Sequence, residues 1–197
     1  MRELPEFGTV ARHRTAIRRT SLSRPIRLAF EQGLIGSNTS ILDYGCGHGD
    51  DVRNLQGMGL SCWGWDPVHR VESAIVPADV VNLGYVVNVI EDPKEREEAL
   101  LSAWSCAKAA LLVSAQLIHE AVTSPIRTLN DGILTRLNTF QKYYEHSELK
   151  SWIESTVGKR AIALAPGVFC LFRDPSQEEQ HSARQFHPPC RSARCAR

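Results

Sequence analysis

No apolar run in this chain approaches the roughly 18 residues needed to cross a bilayer, so a membrane-spanning role is not expected. The opening residues, MRELPEFG, lack the apolar centre of a secretory leader, and the expectation is a cytoplasmic protein. Paired cysteine spacing is missing too. Of six cysteines, Cys46, Cys62, Cys106 and Cys170 stand singly in apolar or glycine-rich segments, as reduced core or loop residues do. His181, His187, Cys190 and Cys195 match no standard zinc spacing, and no metal is expected. Net charge is nearly absent at +1, but it is uneven. Residues 1–27 carry Arg2, Arg12, Arg14, Arg18, Arg19, Arg24 and Arg27 against Glu3 and Glu6. Such a cluster suits either a polyanion such as DNA or a solvated arm. With 43% hydrophobic and 23% charged residues in 197, the remainder is ordinary globular composition, one domain with some overhang.

What is present centres on residues 41–51, ILDYGCGHGDD. Ile41 and Leu42 close a buried strand that Asp43 ends. Gly45, Gly47 and Gly49 then alternate through a turn, and Asp50 and Asp51 open a helix with Val52, Leu55 and Met58 inward. Glycines serve where the backbone turns sharply or must lie against a ligand. A strand, glycine loop and helix at the C-terminal edge of a sheet form a nucleotide-type site, with an acid about 20 residues on for ribose hydroxyls. Asp66, in Cys62-Trp63-Gly64-Trp65-Asp66-Pro67, fits. The third glycine comes one residue too early for the dinucleotide pattern G-x-G-x-x-G, where Asp50 stands. An acid followed by G-x-G-x-G resembles motif I of S-adenosylmethionine-dependent methyltransferases. That cofactor carries an ammonium and a sulfonium and no phosphate, so carboxylates near the loop suit it.

Taken in order, residues 1–20 lack apolar periodicity and read as a basic arm. Ser23 and Pro25 signal a helix start, with Ile26, Phe30 and Leu34 as its stripe. A second strand covers 61–65. Only twelve residues, 67–78, separate Asp66 from Asp79, too few for a crossover helix and another strand. The third strand is therefore expected to be vestigial, reduced to 74–76, and 79–83 reads as the next buried strand. Asp92 and Pro93 start a helix with Leu100, Leu101, Trp104 and Ala107 inward and residues 94–98 solvated. A strand at 109–117 follows. The turn-rich stretch 118–145 reads as a lid or substrate-side insertion. Ser147 caps a helix stopped by Gly158, and Pro166-Gly167 joins strands at 160–165 and 168–173 into a hairpin. Residues 175–197 are expected to be a disordered tail, leaving 21–174 as the folded domain. The fold class is α/β: a Rossmann-like, mostly parallel sheet with a C-terminal antiparallel hairpin and a shortened third-strand region.

HRTAIRRTSLSRPIR from His13, DYGCGHGDDV, GWDPVHR, ADVVNLGYVVNVIED, DGILTR, NTFQKYYEHSELKSWI and APGVFCLFRD together resemble a bacterial family of DNA phosphorothioation-associated methyltransferases, over about residues 12–174. The resemblance implies S-adenosyl-L-methionine as cofactor, held by Asp43, Tyr44, Gly45, Cys46, Gly47, Asp66, Pro67, Asn82 and Leu83. It implies methyl transfer to DNA or within a DNA-modification system, with DNA met through the N-terminal arginines and with DNA-modification proteins as partners. Family members continue past the hairpin, so a shortened form is expected. Asn82-Leu83-Gly84-Tyr85 is similar to the Asn/Asp-Pro-Pro-aromatic motif of DNA amino-methyltransferases without its prolines. Asn82 and Tyr85 are thereby the catalytic candidates, one accepting from a target amine and the other stacking on the base; a strand-end cap and a packing ring are the structural alternatives. His48, Tyr143 and Tyr144 are further rim candidates. Two other functions stay open: an accessory protein that binds the cofactor without turnover while docking on DNA or its modification partners, and an NAD-dependent enzyme.

Overall fold

A computed structural model describes residues 10–121 and 127–186. Its centre is a six-stranded sheet ordered β2-β1-β3-β4-β9-β8. Strands β1 (Ile41–Tyr44), β2 (Cys62–Trp65), β3 (Ala78–Gly84) and β4 (Ala107–Ser114) run parallel, and the hairpin β8 (Ile162–Ala165) and β9 (Val168–Phe172) closes the sheet antiparallel to β4. The expected Rossmann-like class is therefore the observed one. Side chains alternate across a strand, and β9 shows the result. Val168, Cys170 and Phe172 face one layer, with Ile26, Val52 and Leu55 from helices α1 (Arg24–Glu31) and α2 (Asp50–Gly57). Phe169 and Leu171 face the other, with Leu100, Ala103, Leu149 and Ile153 from α3 (Pro93–Cys106) and α4 (His146–Val157).

No strand lies between β2 and β3, so β2 is the sheet's edge. Residues 67–77 make the crossover as turns, pinned where the Trp63 indole N–H donates to the Val76 carbonyl at 2.8 Å. The short reach leaves Val68, Val71, Ile75 and Val76 exposed.

Several local expectations change on contact with tertiary structure. On α3 it is Arg96 that is buried, at 3% exposure, while Leu101 is 45% exposed. The guanidinium has somewhere to go: it donates to the Ile90 carbonyl and to both oxygens of Asp131. Ser23 precedes α1 without capping it, and its hydroxyl has no partner. Helix α4 starts before Ser147, at His146, with the Glu148 carboxylate accepting from the Glu145 N–H. Residues 175–186 are not a disordered tail: α5 (Pro175–Phe186) packs back on the sheet, burying His181 5.4 Å from the Phe172 ring. One buried imidazole on an otherwise polar helix is too faint a periodic signal to read in advance. His187, Cys190 and Cys195 lie outside the described residues. Within the insertion, β5 (Arg127–Leu129), β6 (Gly132–Leu134) and β7 (Phe140–Gln141) form a small antiparallel sheet. Among the described residues, no helix is long and apolar enough to cross a membrane.

Candidate functional site

The site begins where β1 ends. Asp43 is buried, and its register partner on β3 is Asn82, whose side-chain amide donates to it at 2.8 Å. Burial pushes the Asp43 carboxyl up to about 7; the neighbouring Asp51 adds to the shift, and the Asn82 hydrogen bond and the Arg19 charge oppose it. The Asn82 oxygen is buried with no partner among the described residues. Both groups line a small polar cavity under the glycine loop, along with Gly45, Cys46, Asp50, Asp51, Arg19 and Ile17.

The loop is shaped by its glycines. Gly45 and Gly47 take left-handed φ of 84° and 53°, a region that favours residues without a β-carbon. A β-carbon at Gly45 would run into Val86, and one at Gly47 would come within 2.9 Å of Ala16. Asp66 at the end of β2 ties the arrangement together. One of its oxygens accepts from the Gly47 N–H at 2.9 Å, and the other from Val68 and His69 at 2.9 and 2.8 Å. Asp66 is therefore a loop organiser before any ligand arrives. A carboxylate has about four lone-pair sites, which leaves room for a further donor.

The basic arm does not stand off from the domain over its described part. Residues 15–23 lie across the loop as a strap. The buried carboxylates of Asp50 and Asp51 accept from the backbone N–H of Arg19 at 2.6 Å and of Ser23 at 2.8 Å. Arg53 also pairs with Asp50. Ahead of the strap, Arg12 is held by Glu91 and Glu95 at 2.9 and 2.5 Å. The acid found where a dinucleotide loop needs glycine thus has a local job here, holding a neighbouring segment.

Between strap and loop is a pocket of about 650 Å³. One end is lined by Gly45, Cys46, Gly47, Asp66, Pro67, Val68 and His69. The other is lined by Tyr85, Asn88, Gln116, Glu120 and Gln141, with the strap as its roof. Tyr85 holds a φ of 60°, unusual for a bulky residue and a mark of functional positions. The Arg19 guanidinium lies 5.8 Å from its ring centroid. Burial raises the Tyr85 hydroxyl above its ordinary range, with Arg24 opposing, so at neutral pH it is a donor and not a base. Cys46 is no nucleophile either, since burial pushes its thiol up to about 12.

The predicted residues thus divide. Asp43 and Asn82 meet in the polar cavity, while Gly45, Cys46, Gly47, Asp66, Pro67 and Tyr85 line the pocket. Tyr44 and Leu83 turn their side chains into the core, Tyr44 4.9 Å from Trp65, so either could meet a ligand only through its backbone. His48 lies 4.5 Å from His69 at the loop, the two rings tilted by 49°. Tyr144 is buried against Trp152, and Tyr143 is not part of the pocket wall. The sequence marked the strap only as a basic segment and did not single out Asn88, Gln116 or Gln141 as site residues, because their neighbours in the pocket are distant in the chain.

Residues 12–194 match the family described as a methyltransferase domain. Among curated proteins nothing matches. Solved structures of similar fold include the sugar N-methyltransferase KedS8 of a Streptoalloteichus species, at TM-score 0.54 and 11% identity, covering 76% of this chain and 85% of that one. The 1,6-didemethyltoxoflavin-N1-methyltransferase of Burkholderia thailandensis, with S-adenosylhomocysteine bound, gives 0.53 and 12%, covering 83% and 78%. The CcbJ methyltransferase of Streptomyces caelestis gives 0.51 and 10%, covering 77% and 89%. At these identities the likeness is one of fold.

Proposed function

This chain belongs to the methyltransferase domain family, and we propose that it transfers a methyl group from S-adenosylmethionine to an acceptor held under the strap. The observation that carries the reading is the polar cavity beneath the glycine loop. A buried carboxyl displaced upward to about 7 and a buried amide oxygen with no partner among the described residues are two acceptors with capacity to spare. The ammonium of a methionine moiety would satisfy both. The rest of the cofactor would follow the loop, with ribose hydroxyls at the remaining capacity of Asp66 and adenine against Pro67, Val68 and His69. When bound, S-adenosylmethionine supplies an electrophilic methyl on a sulfonium that departs as a neutral thioether. The protein's part is alignment and exclusion of water, and alignment alone can contribute about 7–11 kcal/mol. The strap closes one side of the pocket, and Tyr85 with its raised pKa offers a hydrogen-bond donor to the acceptor.

Calorimetric titration with S-adenosylhomocysteine tests this. The parent protein is expected to bind. Asp66→Asn keeps one accepting oxygen for the loop amides and loses the charge, so affinity should fall at least tenfold, as charge-assisted bonds of about 1.5–3 kcal/mol are weakened. No binding by the parent would remove the cofactor assignment.

The finer reading takes the acceptor to be DNA within a phosphorothioation-type modification system. It is supported by the motifs running from HRTAIRRTSLSRPIR to APGVFCLFRD and by Arg14, Arg18 and Arg19, which the strap leaves exposed. Radiolabelled S-adenosylmethionine incubated with DNA, RNA and protein extracts should label DNA. Label in another fraction alone would replace the acceptor and leave the donor standing.

A further inference from the structure

Asn88 occupies the turn after β3, where it is 2% exposed and lines the far end of the pocket. Its backbone carbonyl accepts from the Lys142 N–H at 2.8 Å, but its side-chain oxygen is buried with no partner among the described residues. Buried polar groups are almost always satisfied, and leaving one unmade costs stability. Here the residue that carries the unsatisfied group also lines the pocket, as do Tyr85 and two more carboxamides, Gln116 and Gln141. Of the carboxylates in the lining, Glu95 is bonded by Arg12, and Glu120 accepts from the Leu117 N–H at 2.8 Å. This end of the pocket therefore offers carboxamides and an aromatic ring, with Arg19 and Arg24 acting on the ring's residue.

A carboxamide presents an acceptor and two donors in one plane. It is suited to a planar edge carrying a donor next to an acceptor, which is how Asn and Gln side chains read the edge of a base. Resting on the methyltransferase reading above, the geometry points to Asn88, supported by Gln116 and Gln141, as the residue that recognises the acceptor. The acceptor it recognises is a heterocycle with a lactam or amidine edge of nucleobase type, seated beside Tyr85. Asn88 reads the acceptor's edge and takes no part in the bond exchange, which passes from the sulfonium to the acceptor nitrogen or oxygen.

The experiment uses the full chain saturated with S-adenosylhomocysteine, titrated with adenosine, guanosine, cytidine and uridine and with a short single-stranded DNA. Heat of binding is read for the parent and for Asn88→Leu, and the melting temperature is taken in parallel. At least one of these probes should bind the parent, and Asn88→Leu should weaken it tenfold or more. The melting temperature should hold or rise, because an apolar side chain of similar size removes an unmet polar group. Binding of a nucleoside places recognition in the nucleoside itself; binding of the oligonucleotide only means that the flanking backbone is also needed, and in both cases Asn88→Leu must weaken it tenfold or more. The inference is overturned if no probe binds, if Asn88→Leu binds as the parent does, or if its melting temperature drops, since Asn88 would then be holding the fold. Failure of the parent to take S-adenosylhomocysteine would strike the cofactor reading instead.

Discussion

At the donor end of the pocket, one stretch, 43–51, supplies the loop, and its acids hold partners: Asp43 has Asn82, while Asp50 and Asp51 hold the strap. At the acceptor end the lining comes from the strap, the turn after β3, the segment after β4 and β7. There the buried side-chain oxygen of Asn88 has no partner among the described residues. The contrast teaches where organisation comes from in this molecule. The donor end is assembled by neighbours in sequence and by strand register, so it is largely in place without a ligand. The acceptor end depends on the insertion being docked on α3, and one of its buried polar atoms, the Asn88 side-chain oxygen, has no partner among the described residues.

The comparison breaks most forcefully at Arg96. Its buried side chain links Ile90, in the turn leading to α3, with Asp131, at the β5–β6 turn of the insertion. Arg96→Ala should cost about 3 kcal/mol, the lower end for a broken buried pair because Asp131 is about one-third exposed. Thermal unfolding should show a fall of roughly 6–12 °C for a chain of this size. Binding of S-adenosylhomocysteine by the still-folded fraction should survive while acceptor binding goes. Equal loss of both would mean that the two ends are not separable.

The donor end is probed next by Gly45→Ala. The left-handed φ costs about 1–2 kcal/mol for a residue with a β-carbon, and Val86 must also give way. Cofactor affinity should fall tenfold or more with a melting temperature only a few degrees lower. Unchanged affinity would show that the cofactor does not lie along this loop.

The pH response of Asp43 sharpens the contrast. Its carboxyl is raised from 3.8 to about 7, so between those values the native state holds a proton that the unfolded chain releases. Stability of the ligand-free protein should therefore decline as pH rises from about 4 to about 7. Cofactor binding needs the ionised form and should strengthen through the same window, with proton release measurable by calorimetry in buffers of different ionisation enthalpy. Asp43→Asn should flatten both responses. A parent whose affinity is level from pH 5.5 to 8 would detach Asp43 from the cofactor.

How much of this was legible varies with the range of the interaction. The glycine loop, Asp43 and Asp66 could be read because strand, turn and helix follow one another within a few residues, and each residue type answers a local constraint. The missing third strand could also be read, as a simple shortage of chain between Asp66 and Asp79. Arg96 was misread because periodicity ranks it by charge, and only the carbonyl of Ile90 and the carboxylate of Asp131 make its burial tolerable. The strap read only as a basic arm, for a polyanion or for solvent, because its anchors, Asp50 and Asp51, lie about 30 residues downstream.

By itself, then, the sequence determined the α/β class, a mostly parallel sheet, the closing hairpin and the place of the donor loop. These rest on hydrophobic period, turn chemistry and the few backbone angles open to non-glycine residues, all of which act over short stretches. Only the tertiary structure decided that Asp66 organises the loop through three backbone amides, that the basic segment covers the pocket, and that Asn88 stands buried without a partner. Those facts concern which polar groups find each other across the fold. A hydrogen bond acts only within about 3 Å and in a narrow range of angles, so such pairings exist only once packing has set distant segments in place.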